Sequence, residues 1–154
     1  MEEKELLRFL AMGMTLILIT LPSLAMTDIK PQLLIFVSSS MPPPLLKTYY
    51  KEAMIYDGIL VFKGLPNNSF QSLSELIINM QDNSASSIID EELFEKFGIK
   101  NIPAFVLYKE EECYYDTSCK VTYDKVIGNI GVRSALEQFI ENGDMKEYAI
   151  GLLK

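Results

Sequence analysis

The chain has no histidine, no tryptophan and only two cysteines. Without histidine there is no Ser-His triad, no imidazole general acid or base, and none of the usual histidine-bearing zinc sites. Basic residues are also scarce, 14 Lys and Arg against 21 Asp and Glu, for a formal net charge of −7. No basic cluster is gathered anywhere, which argues against nucleic acid or anionic lipid as a main partner. The Gly-x-Ser-x-Gly run of a serine hydrolase is missing as well. What is present is 154 residues, 49% of them hydrophobic, enough for one domain with a proper core.

That domain is organised around Leu33–Leu46, which reads LLIFVSSSMPPPLL. Leu33 to Val37 is an apolar run bounded by turn residues, the mark of a strand buried on both faces. Ser38-Ser39-Ser40 breaks it, three prolines follow, and a helical pattern begins at about Pro44. A strand that feeds a helix through a tight loop is a common place for chemistry. The helix start there is expected to offer unpaired N–H groups and a positive dipole end. Yet Met41, Pro42, Pro43 and Pro44 carry no nucleophile, acid or base.

Residues 1–25 read as an export signal, and residues 26–154 as the domain. Phe9 to Leu21 has the length of a signal core, Pro22 breaks it, and Ser23-Leu24-Ala25 suits cleavage after Ala25. The leading MEEKELLR is atypically acidic for a signal. The alternative is an uncleaved anchor, since the apolar stretch approaches the length of a membrane span. Either reading places the domain outside the cytoplasm.

Beyond the prolines, Leu45, Leu46, Tyr49, Ala53 and Met54 share one helix face, with Lys47, Lys51 and Glu52 on the other. Asp57-Gly58 is expected to stop that helix, and Ile59–Phe62 to form a second buried strand, completing a right-handed βαβ unit. Asn68 or Ser69 can cap a further helix carrying Phe70, Leu73, Leu76, Ile77 and Met80. Gln81–Ser87 reads as polar linker. Asp90 is expected to cap a short helix, Glu91–Phe97, whose acidic start suits the helix dipole. A strand follows at Ala104–Tyr108, then a hairpin-like excursion and a strand ending at Val126-Ile127. A helix over Val132–Glu141 and a short one over Met145–Leu153 complete the chain.

Three groups invite a chemical reading. Cys113 and Cys119 are spaced as neither a redox pair nor a metal hook, and the acids around them raise a thiol pKa. They read as a disulfide across the hairpin in an oxidising compartment, worth about 2 kcal/mol in the chain-entropy model. Ser38, Ser39 and Ser40 read as loop and cap residues, with no base to activate them. The Glu110–Asp116 cluster lacks the spacing of a calcium loop and reads as a solvated hairpin tip.

The order of elements, with Gly98-Ile99-x-x-x-Pro103-Ala104 before a strand, resembles the thioredoxin-like fold: a central mixed sheet flanked by helices. The resemblance implies a cis bond at Ile102–Pro103, facing the loop where that fold carries Cys-x-x-Cys. Here the loop has no Cys-x-x-Cys. A closer match starts from Phe36-Val37-Ser38-Ser39-Ser40-Met41-Pro42. Gly58–Val61, Lys63-Gly64-Leu65 and the Ile-Pro-Ala strand extend it. These residues are similar to the TrbC family, periplasmic pilus-assembly proteins of F-type conjugative transfer (type IV secretion) systems. The resemblance spans roughly residues 31–142. It implies a periplasmic assembly factor without catalysis or cofactor, with a TraW-like periplasmic protein among its partners. The expected docking lip is Ser40, Met41, Pro42, Pro43, Ile102 and Pro103. The same loop could instead simply pack the domain. The competing functions are a periplasmic thiol-disulfide oxidoreductase or isomerase using Cys113 and Cys119, and a general periplasmic chaperone.

Overall fold

Five apolar residues in succession, Leu33 to Val37, are buried in the middle strand of a five-stranded sheet. The computed structural model describes residues 30–79, 86–110 and 121–154. Residues 1–29, the Cys113–Cys119 pair and the acidic tip from Glu111 to Asp116 lie outside them. The strands are β1 (Gln32–Val37), β2 (Gly58–Phe62), β3 (Ser86–Ile89), β4 (Ala104–Glu110) and β5 (Val121–Ile127). The helices are α1 (Pro43–Ile55), α2 (Phe70–Asn79), α3 (Glu91–Lys96), α4 (Val132–Asn142) and α5 (Lys146–Leu152), with a 3₁₀ turn at Pro66–Asn68.

The strands lie in the order β3-β2-β1-β4-β5, with β1, β2 and β3 parallel and β4 and β5 antiparallel to their neighbours. With an Ile102–Pro103 cis bond leading into β4, this is the thioredoxin-like arrangement. Both sheet faces are covered, as a continuous apolar strand requires. Leu33, Ile35 and Val37 pack with α1 and α4 through Leu46, Tyr49, Ala53, Leu136 and Phe139. Leu34 and Phe36 face the other way, onto Phe94, Phe97 and Ile99 around α3. Phe36 meets Phe94 edge-on, with ring centres 4.8 Å apart.

Several local expectations are corrected. Ser86 and Ser87 belong to β3 rather than to a linker, because β2 supplies the pairing partners, Val61 opposite Ile88 and Phe62 opposite Ile89. Phe70 is 72% exposed, since it is the first residue of α2 and precedes the turn that faces the core. Met54 is exposed too, and Tyr50 takes a buried place on α1 instead. Asp57, not the glycine after it, takes the left-handed backbone conformation, at φ 52°. Gly58 is already in β2, where a Cβ would stand 3.2 Å from the Ile35 side chain. Glu52 is no solvent-face residue: its Oε2 accepts the Val132 N–H at 2.9 Å and so caps α4 from α1. Asp90 does cap α3, its Oδ1 accepting the Leu93 N–H at 3.0 Å.

Candidate functional site

The site is built where β1 ends and β4 begins. Phe36 stands opposite Ala104 in antiparallel register. The chain that leaves β1 at Ser38 and the chain that enters β4 through Ile102–Pro103 therefore lie at the same end of the sheet. A third segment joins them. Ile127 is paired with Ala104, and the Gly128 N–H donates to the Pro103 carbonyl at 3.1 Å.

The loop after β1 is closed by its own polar groups. The Met41 N–H donates to the Ser38 carbonyl at 3.1 Å. Ser38 and Ser40 share a hydroxyl contact of 2.8 Å, and the Ser40 N–H donates to Ser38 Oγ at 3.2 Å. The serines thus shape a turn. Met41 is half-buried against the core, and its sulfur receives the Ser38 N–H at 3.5 Å. Ser40, Pro42, Pro43 and Pro44 are exposed.

The expected free N–H groups at the start of α1 are not there. Pro42, Pro43 and Pro44 have no N–H to give. The next two donors, Leu45 and Leu46, both close on the Pro42 carbonyl, at 3.0 and 3.1 Å. From Met41 to Leu46 every existing amide hydrogen is therefore used inside the chain. A helix start normally lowers a thiol pKa or holds an anion through such donors. This one lacks them.

Across the gap, Pro103 is buried while Ile102 is 37% exposed. Among the described residues, neither the N–H nor the carbonyl of Ile102 has a hydrogen-bond partner. Ile127 beside it is 43% exposed. Ile127 was not foreseen, because the strand pattern of β5 does not tell which of its residues ends at the Ile102–Pro103 turn. The lip thus offers apolar side chains and one unpaired peptide unit, and no group that donates or accepts a proton near neutral pH.

Behind the lip, Tyr49 ties α1 to the turn after β5, its hydroxyl 3.1 Å from the Ile130 carbonyl and 3.3 Å from Asn129 Oδ1. Burial pushes its pKa up, and Glu52 nearby pushes it further. The hydroxyl stays protonated and acts as a strut. Among the described residues, no helix is long and apolar enough to cross a membrane.

A family model described as "Type-F conjugative transfer system pilin assembly protein", TrbC, matches residues 35–139, from the middle of β1 to the end of the α4 core contacts. The chain belongs to this TrbC family. Periplasmic protein TrbC of Escherichia coli (strain K12) is 31% identical over 133 residues, covering 84% of this chain and 58% of that protein. The chain therefore spans less than two thirds of the length of that relative. A solved structure of MTB DsbF, in mixed oxidized and reduced forms, aligns over 80% of this chain and 81% of its own, with a TM-score of 0.47 and 15% identity.

Proposed function

We propose that this TrbC domain works in the periplasm as a non-catalytic assembly factor, holding an extended segment of another component of a type-F conjugative apparatus. The lip of Ser40, Met41, Pro42, Pro43, Ile102 and Pro103 is the dock, with Ile127 added to it. The single observation that carries this reading is Ile102, half-exposed, with no partner for its peptide groups among the described residues. An extended chain pairs with such groups as it does with a sheet edge, and apolar neighbours supply side-chain contacts. Methionine at 41 suits this, since its thioether adapts to irregular partners. A TraW-like periplasmic protein is the partner that the family resemblance suggests.

Absence of catalysis belongs to the same proposal. A thioether cannot form a mixed disulfide, and the proline-bearing helix start gives no donors to a thiolate. Residues 1–25 remain, on this reading, the export signal, and Cys113 with Cys119 a structural disulfide. Two experiments test the reading. Met41→Asp combined with Ile102→Asp should abolish capture of one specific partner from envelope extracts, while circular dichroism shows the domain still folded. Undiminished capture by a folded double variant would sink the dock. Insulin reduction separates the scaffold from an oxidoreductase acting through Cys113 and Cys119. The scaffold gives no turnover, and a general chaperone would be recognised by capture of many unfolded chains.

A further inference from the structure

The chain carries 21 Asp and Glu against 14 Lys and Arg, yet the segments that build the lip invert that balance. Residues 38–46, 99–104 and 127–134 contain no Asp or Glu, and they do contain Lys100 and Arg133. Both residues are exposed. Among the described residues the ion pairs are Lys30–Asp57 and Lys96–Glu110, so neither Lys100 nor Arg133 has an acidic partner there. The fold sets these two cations on opposite sides of the dock. Lys100 stands two residues before Ile102 and follows Ile99, which packs around α3 on one face of the sheet. Arg133 follows Val132, which packs with α1 on the other face. It belongs to the first turn of α4, just after the Gly128 turn that is bonded to Pro103.

The carboxylates at this end of the sheet are committed or set apart. Glu52 is held by the Val132 N–H at 2.9 Å, and Asp90 by the Leu93 N–H at 3.0 Å. Glu91 and Glu92 begin α3 just past β3, and β2 lies between β3 and β1. Glu91 stands there beside Gly64, next in sequence to the exposed Lys63. An extended segment that pairs with the Ile102 peptide unit lays its apolar centre over Ile102 and Ile127. Its flanks then run toward a cation on each side, since two to three extended residues span about 7–10 Å. We propose that the segment held at the lip is a short apolar stretch with Asp or Glu on both flanks. The inference rests on the dock proposed above and adds the charge of its occupant. Exposed ion pairs are individually weak and are screened by salt, but opposite charges set register and disfavour wrong partners. Lys100 and Arg133 therefore select among apolar segments that the lip alone would accept.

A random dodecapeptide library, selected on the protein isolated after expression of the full chain, tests this. Peptides that also bind an Ile102→Asp variant, shown to be folded by circular dichroism, are discarded. Ile127→Asp takes its place should Ile102→Asp fail to fold. At low salt the remaining peptides should carry at least about threefold more Asp and Glu than Lys and Arg beside their apolar centre. Lys100→Glu combined with Arg133→Glu should invert that ratio. Both biases should fade at about 1 M salt, where the Debye length is about 3 Å. Peptides without an acidic excess, or with an excess that survives the charge reversal, overturn the inference and leave the dock standing. If no peptide distinguishes the protein from the lip variant, the dock falls and the inference falls with it.

Discussion

Replacing Met41 with cysteine puts a thiol where a thioredoxin-like enzyme would carry one, and asks whether this helix start can activate it. An unperturbed thiol titrates at about 8.5, and a helix N-terminus lowers that to about 3.5–7.5. The lowering comes from amide hydrogens turned toward the sulfur. In this loop the Met41 N–H is bound to Ser38, the Leu45 and Leu46 N–H groups are bound to Pro42, and the three prolines contribute none. The Ser38 N–H does reach the Met41 sulfur, but a cysteine sulfur sits one bond nearer the backbone and falls short of that position. The introduced thiol should therefore titrate within about one unit of 8.5. Adding Pro43→Ala and Pro44→Ala restores two donors at the first turn. That should lower the value by at least about one unit, about 1.4 kcal/mol of thiolate stabilisation. The assay is the pH dependence of iodoacetamide alkylation, read by mass on the peptide bearing residue 41 so that Cys113 and Cys119 do not interfere. A value below about 7 with the prolines intact would refute the reasoning, because the helix dipole would then act without its donors.

Further outcomes concern contacts that hold the domain together. Asp124 on β5 accepts the Asp144 N–H at 2.9 Å and the Met145 N–H at 2.8 Å, tying the sheet to the α4–α5 turn. Asp124→Ala should cost about 2–3 kcal/mol and lower the melting temperature by roughly 10 °C, a shift that scanning calorimetry reads directly. Gly143 belongs to the same staple, since a Cβ there would stand 2.1 Å from Asp124 Oδ2 and 2.6 Å from the Phe139 carbonyl, so Gly143→Ala should destabilise as well. Tyr49 and Tyr108 both have raised pKa values, chiefly through burial and then through Glu52 and Glu110 respectively. A folded-state pKa above the unfolded 10.0 favours the native state below pH 10, and that contribution disappears as pH rises through the raised value. Denaturant unfolding should therefore show stability falling above pH 10. Tyr49→Phe should cost about 1 kcal/mol at neutral pH and flatten the alkaline fall, and an unchanged alkaline slope would refute the assignment.

Local chemistry settled much of this protein before any tertiary contact was known. Leu33–Val37 is too continuously apolar to lie anywhere but between two covered faces, and Asp90 before three acidic or apolar helix formers marks a capped start. The absence of histidine and of a thiol at 41–44 is a property of composition. Even the missing donors at α1 are written in three successive prolines, although the general rule about helix starts pointed the other way. The tertiary structure alone decided where distant segments meet. β3 exists because β2 is beside it, Glu52 caps a helix that begins eighty positions later, and Ile127 reaches the lip through its register with Ala104. None of these leaves a period or a turn signal along the chain, because each depends on partners far apart in sequence that only the folded sheet brings within hydrogen-bond reach.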